Sequence, residues 1–122
     1  MILGAFGAHA LHDRLDARSL EVFQTGVQWQ AIHALALLAT AIVALGPIGG
    51  RAARSLAAAG IAFVVGTVLF SGSLYALALT GVKGLGAITP FGGFAFVLGW
   101  AALASAFVRG GPPVPGSSDP RP

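Results

Sequence analysis

The sequence contains no cysteine. Disulfide frameworks, thiolate metal ligands and thiol nucleophiles are therefore excluded. Charge is the second scarcity: Asp, Glu, Lys and Arg make up only 9% of the 122 residues, against roughly 25% in soluble domains. A soluble fold of this length could not cover its surface with so few ionic groups. The seven basic residues form no dense run, which makes a nucleic-acid-binding surface a poor reading. No carboxylates are paired inside an apolar run, and no nucleophile–base pair or phosphate-binding glycine loop is recognisable. An enzyme is not expected.

What remains is apolar. Hydrophobic residues make up 56% of the chain and the mean hydropathy is +0.83. This is the composition of a membrane protein. The expected fold class is all-α: an integral membrane helical bundle with three full transmembrane helices and a partial N-terminal helix. Helices are required because backbone polar groups in lipid must be satisfied within the segment.

The spans are bounded by turn residues. The opening "MILGAFGAHA" is apolar but shorter than the ~20 residues a spanning helix needs, so 1–10 reads as a helix stub. There is no basic segment before it, so a signal peptide is not expected. Residues 11–26 hold Asp13, Arg14, Asp16, Arg18 and Glu21 and read as an interfacial segment, with Asp16 placed to cap a helix start. The first full span is 27–45, stopped by Gly46 and Pro47. After the short loop "GPIGGRAAR" the second span covers 56–79. The third covers 89–108, opened by Thr89 and Pro90, where threonine can cap and proline at the first helical position loses no bond. Residues 1–108 form one transmembrane domain. The tail 109–122, rich in Pro, Gly and Ser, reads as disordered.

Arg51, Arg54 and Arg109 lie beside span ends on one side. By the positive-inside rule the 46–55 loop and the tail are expected in the cytoplasm. Small residues at i, i+4 spacing suggest packing ridges: Ala36, Thr40 and Ala44; Ala58, Ala62 and Gly66; Ala95 and Gly99.

The polar groups inside the spans need a reason. His33 lies in the first full span with Gln30 three residues earlier, on one face. An ionisable group there is costly and marks a functional candidate, although a neutral histidine can equally lock packing. Three histidines without a clear fourth ligand make a poor metal site. Trp29 reads as an aromatic-belt residue, and Trp100, mid-span, as a packing or lipid-facing one. In "LFSGSLYAL" the second span holds Ser71, Gly72, Ser73 and Tyr75 at its polar centre. Ser71 and Tyr75 share a face, Gly72 would permit close helix approach, and His33 and Thr89 are the partners expected for the hydroxyls. Serine can also bond back to its own helix. The candidate seam is His9, Gln30, His33, Gly66, Ser71, Gly72, Ser73, Tyr75, Thr89 and Pro90. No catalytic, cofactor or metal residue is assigned.

The motifs "LGAFGAHAL", "VFQTGVQWQAIHALALL", "GTVLFSGSLYALALTG" and "LGAITPFGGFAFVLGW" occur in this order. In them the chain strongly resembles the small bacterial inner-membrane proteins grouped as domain of unknown function 423, the YgdD/YwdK type, with eukaryotic relatives called transmembrane protein 256. The resemblance covers residues 3–107. It implies a four-helix membrane bundle with no established activity. Members of the family usually carry further residues before the first motif, completing helix 1, and usually have tyrosine where this chain has Trp29. The polar positions that match are His9, Thr25, Gln30, His33, Ser71, Ser73, Tyr75, Thr89 and Pro90.

The expected function is that of a structural or accessory bundle. It would be held in the lipid bilayer and bind lipids, other membrane proteins or itself, with no nucleic acid and no cofactor. The alternative is an oligomeric transporter or channel-like protein with a polar path along His33, Ser71, Ser73 and Tyr75. A cofactor binder using the histidines is a third possibility.

Overall fold

A computed structural model describes residues 15–109. The stub 1–10, with His9, and the tail beyond Arg109 lie outside the described residues. Among the described residues three helical segments are long and apolar enough to cross a membrane: α1 (Ala17–Ala44), α2 (Gly50–Thr80) and α3 (Thr89–Arg109), the last counted together with the turn before it. A short 3-10 turn, Lys83–Ala87, joins α2 to α3. With these helices the protein is a multi-pass, all-α membrane protein.

The helix ends follow local chemistry. Asp16 accepts a hydrogen bond from the Ser19 backbone N–H at 2.6 Å and caps α1. Ala44 is followed by Leu45 and then by Gly46 and Pro47, which cannot continue the helix. Gly81 ends α2 with φ of +71°, a left-handed conformation that glycine adopts without strain, and its N–H bonds Leu77 O at 2.8 Å.

Two boundaries differ from the sequence expectation. The segment expected to be interfacial, with a helix start capped by Asp16, is helical from Ala17 onward and runs without a break into the span expected from Val27. Nothing between Ala17 and Leu45 removes a backbone donor, and Phe23 and Gly26 continue the buried stripe. The second helix begins at Gly50, six positions before the expected 56, so Arg51 and Arg54 stand on its first turns rather than in a loop. Pro47 breaks the chain; the alanines and arginines after it are good helix formers. With 28 and 31 residues, α1 and α2 measure about 42 and 46 Å at 1.5 Å per residue. Both exceed the ~30 Å hydrocarbon core, so they tilt or project beyond it.

Helix α2 is central and packs against α1 and α3. Buried positions recur mostly at three-, four- and seven-residue steps. On α3 they are Gly92, Phe96, Gly99, Leu103 and Ala106; on α2, Ala52, Ser55, Leu56, Ala59, Phe63, Gly66, Ser73 and Ala78 follow this rule along most of the helix, while Ser71 is buried out of phase with it. Such spacing keeps one seam facing its neighbour. Of the expected ridges, Ala36, Thr40 and Gly66 are buried, while Ala44 and Ala58 are exposed. The outward faces carry Leu35, Leu38, Ile61, Val68, Phe94 and Val97, as lipid contact demands.

Candidate functional site

Three glycines set the spacing of the bundle. A Cβ added to Gly92 would lie 2.7 Å from Phe70 Cβ and 2.8 Å from Phe70 Cα. There α2 and α3 meet backbone to backbone. One turn away, a Cβ on Gly66 would fall within the Phe96 ring edge, at 2.6 Å. Gly99 likewise makes room for Phe63, whose ring atoms would be 2.7 Å from an added Cβ. In lipid such close approach replaces the hydrophobic force that holds soluble helices together. On the other side of α2, Gly26 of α1 admits the Tyr75 ring.

Because Gly66 lets Phe96 lie low, the outer face of that ring is open to α1. His33 stacks on it, with ring centroids 3.3 Å apart and planes 7° from parallel. Phe63 and Trp29 pack against the same imidazole, at centroid distances of 5.7 Å each. His33 is only 2% exposed, so both its ring nitrogens require partners. Nδ1 lies 2.9 Å from Trp29 O, and Nε2 receives the Trp100 indole N–H at 3.3 Å. A carbonyl can only accept and an indole can only donate. The pattern therefore selects the neutral Nδ1–H tautomer. It also leaves no nitrogen lone pair for a metal.

Towards the 3-10 turn lie two further polar pairs. Tyr75 donates its hydroxyl to Gln30 Oε1 at 2.6 Å, joining α2 to α1. Ser73 and Thr89 share a hydroxyl–hydroxyl bond of 2.8 Å, joining α2 to α3, and Ser73 also bonds its own helix at Phe70 O. Ser71 is 1% exposed, and its Oγ has no hydrogen-bond partner among the described residues.

The expected seam thus divides. Gln30, His33, Gly66, Ser73, Tyr75 and Thr89 all lie at helix contacts. His33 and Thr89 do not partner Ser71 or Tyr75 as expected: Gln30 takes Tyr75, Thr89 takes Ser73 and Trp100 takes His33. Gly72 is exposed, with nothing among the described residues within 4 Å of an added Cβ. Close approach belongs to Gly66, Gly92 and Gly99. Gly72 is six residues from Gly66, which turns it to another face, whereas Ser73, seven away, returns to the seam. Pro90 is exposed at the start of α3. Trp29 is no simple belt residue: it packs on His33, Phe70 and Phe96. Sequence reasoning missed Phe63, Phe70 and Phe96 as the ring cluster. The signal was available, since Phe63, Phe70 and Ser73 on α2, and Gly92, Phe96 and Gly99 on α3, keep three-, four- or seven-residue steps.

This arrangement can clamp helices; it brings together no acid–base or nucleophilic pair among the described residues. Comparison with known proteins places it in a family. Residues 3–93 match the model described as "Protein of unknown function (DUF423)". The chain belongs to this family. It is 46% identical over 109 residues to the UPF0382 membrane protein YwdK of Bacillus subtilis, covering 88% of this chain and 85% of the relative. It is 39% identical over 107 residues to the UPF0382 inner membrane protein YgdD of Escherichia coli, covering 88% and 79%. A UPF0382 membrane protein of Staphylococcus epidermidis is 42% identical over 106 residues, covering 87% and 83%. No solved structure matches the chain.

Proposed function

We propose that this DUF423 protein is a non-catalytic accessory bundle of the bacterial inner membrane that binds lipids, another membrane protein or a second copy of itself. The observation behind this reading is the pairing of the intramembrane polar groups. His33, Ser73, Tyr75, Gln30 and Thr89 each bond across a helix contact, so their presence in lipid is accounted for by packing. In this reading the Arg51–Arg54–Arg109 end faces the cytoplasm, by the rule for basic residues beside span ends. Crosslinking in native membranes at native expression should trap one reproducible partner, and repeated failure to trap any would overturn the accessory role. Because the chain lacks cysteine, single P47C and G84C variants report orientation directly. The first should label only from the cytoplasmic side, the second only from the opposite side.

One observation favours a transport reading: the Ser71 hydroxyl, buried and without a partner among the described residues, which an oligomeric polar path would use. Flux through liposomes that changes with H33Q or S73A while the bundle stays folded would establish that reading instead.

A further inference from the structure

At the end of the bundle away from the 3-10 turn, the first turns of α2 and the last turns of α3 frame a groove of about 550 Å³. Its walls include Arg51, Arg54, Ser55 and Arg109, with Ala58 and Ala102 deeper. We propose that this groove binds the phosphate of an anionic phospholipid headgroup.

The charge is one-sided. Three guanidinium groups line the groove, whereas the described carboxylates, Asp16 and Glu21, stand at the start of α1, at the opposite end of the bundle. Arginine presents a planar fork of donors suited to phosphate oxygens. The backbone adds to this. Gly49 caps α2 without a side-chain bond, and no acidic residue occupies the first turn. The free N–H groups there carry partial positive charge, an environment that disfavours Arg51 and Arg54 and favours an anion between them. Ser55 is 7% exposed and accepts from Arg109 Nη1 at 3.1 Å. That bond ties the end of α3 to α2 and holds one guanidinium at the groove. The serine keeps its own proton to donate to a phosphate oxygen.

Inorganic phosphate offers the same chemistry, but the position favours a lipid. The groove lies at the end of membrane-length helices, which in a bilayer sets it towards the headgroups. Below Ala58 the same face of α2 continues through Ile61 and Val65, and below Ala102 the face of α3 continues through Leu98, all three exposed. These apolar tracks suit acyl chains beneath a phosphate. Basic pockets between transmembrane helices bind anionic headgroups in this manner. The inference deepens the accessory reading by naming a ligand, and rests on it only for the placement of the helices in a bilayer.

The test uses the full purified chain in neutral detergent, with lipid retention counted by native mass spectrometry. Phosphatidylglycerol should be retained in preference to phosphatidylcholine. R51Q/R54Q, which alters two exposed side chains, should weaken phosphatidylglycerol retention by about thirtyfold, from roughly 1 kcal/mol per basic residue near the surface. R18Q/K83Q at the other end should leave retention unchanged. Helical circular dichroism confirms that both variants fold; should R51Q/R54Q not fold, R51K/R54K replaces it, with retention expected to fall because the planar fork is lost. Equal retention of the two lipids overturns the proposal. So does a preference that survives R51Q/R54Q, or equally falls with R18Q/K83Q. Inorganic phosphate at millimolar concentration that displaces the lipid and stabilises the protein as well would reassign the groove to free phosphate. Partner capture in native membranes is read separately, so either result can fail alone.

Discussion

Alanine at Gly92 tests whether the α2–α3 contact is held by backbone proximity. The added Cβ would lie 2.7 and 2.8 Å from Phe70 Cβ and Cα, where carbon atoms prefer about 3.5–4.0 Å. A clash with the far end of a side chain can be relieved by rotation, but a clash with backbone cannot. Helix α3 must therefore move outward by about 1 Å, and a gap of that size forfeits between a quarter and a half of each dispersion contact along the seam. Overpacking typically costs about 1–3 kcal/mol, and the upper end applies here. Replacing glycine in a helix returns about 0.5–1 kcal/mol, so G92A should lose about 2 kcal/mol. G72A supplies the control: the position is exposed with nothing among the described residues within 4 Å, and the variant should gain about 0.5–1 kcal/mol from propensity alone. Both are measured by reversible unfolding in mixed micelles, following helical circular dichroism. If G92A is as stable as G72A, the close approach at Phe70 is wrong, and with it the placement of Phe96 and His33.

Further consequences concern the polar groups. Y75F removes the hydroxyl that Gln30 accepts and should cost about 0.6 kcal/mol, at most about 1.7; a double-mutant cycle with Q30L should show that this loss disappears once the acceptor is gone. S71A removes a buried hydroxyl without a partner among the described residues and should stabilise the bundle or leave it unchanged; a clear loss of stability would show that the hydroxyl is bonded in the membrane. The Asp16 carboxyl is held below its ordinary value of 3.8, chiefly by the Ser19 backbone N–H. A depressed folded value gives stability present above the unfolded value and lost as pH falls through the folded one. Unfolding midpoints should therefore decline below about pH 4, and D16N, whose amide caps as well, should lose that part of the decline.

The helices were legible because apolar runs of membrane length end at Gly46–Pro47 and Gly81. Their extent was less so. Arg18 and Glu21 on α1, and Arg51 and Arg54 on α2, look like loop charges in a hydropathy reading, but charge does not break hydrogen bonding and helices can run on past the lipid. Which glycine matters was also hidden. Gly66 and Gly72 look alike along the chain, and only their phase against Phe63, Phe70 and Ser73 separates them. The partners of His33 could not be read at all, since Trp29 is local but Trp100 lies 67 positions away. Nothing in a single sequence brings those two residues together.

The polar pairs are distributed so that every two of the described helices share at least one. Tyr75–Gln30 joins α1 to α2, Ser73–Thr89 and Arg109–Ser55 join α2 to α3, and Trp100–His33 joins α1 to α3. A one-turn slip of α1 moves its side chains about 5.4 Å along the axis. It would break the bond to Gln30 and lift His33 from Phe96 together. A slip of α3 would part Thr89 from Ser73 at one end and Arg109 from Ser55 at the other. A slip of α3 would also carry bulkier residues to where Gly92 and Gly99 admit Phe70 and Phe63, which close packing in lipid does not allow. The glycine contacts and these few hydrogen bonds together fix the register of the three described helices. A bundle locked at every helix pair suits a fixed scaffold better than a path that must open and close. What it leaves free for recognition is the arginine end, where two of the three guanidinium groups have no side-chain hydrogen bond within the described residues.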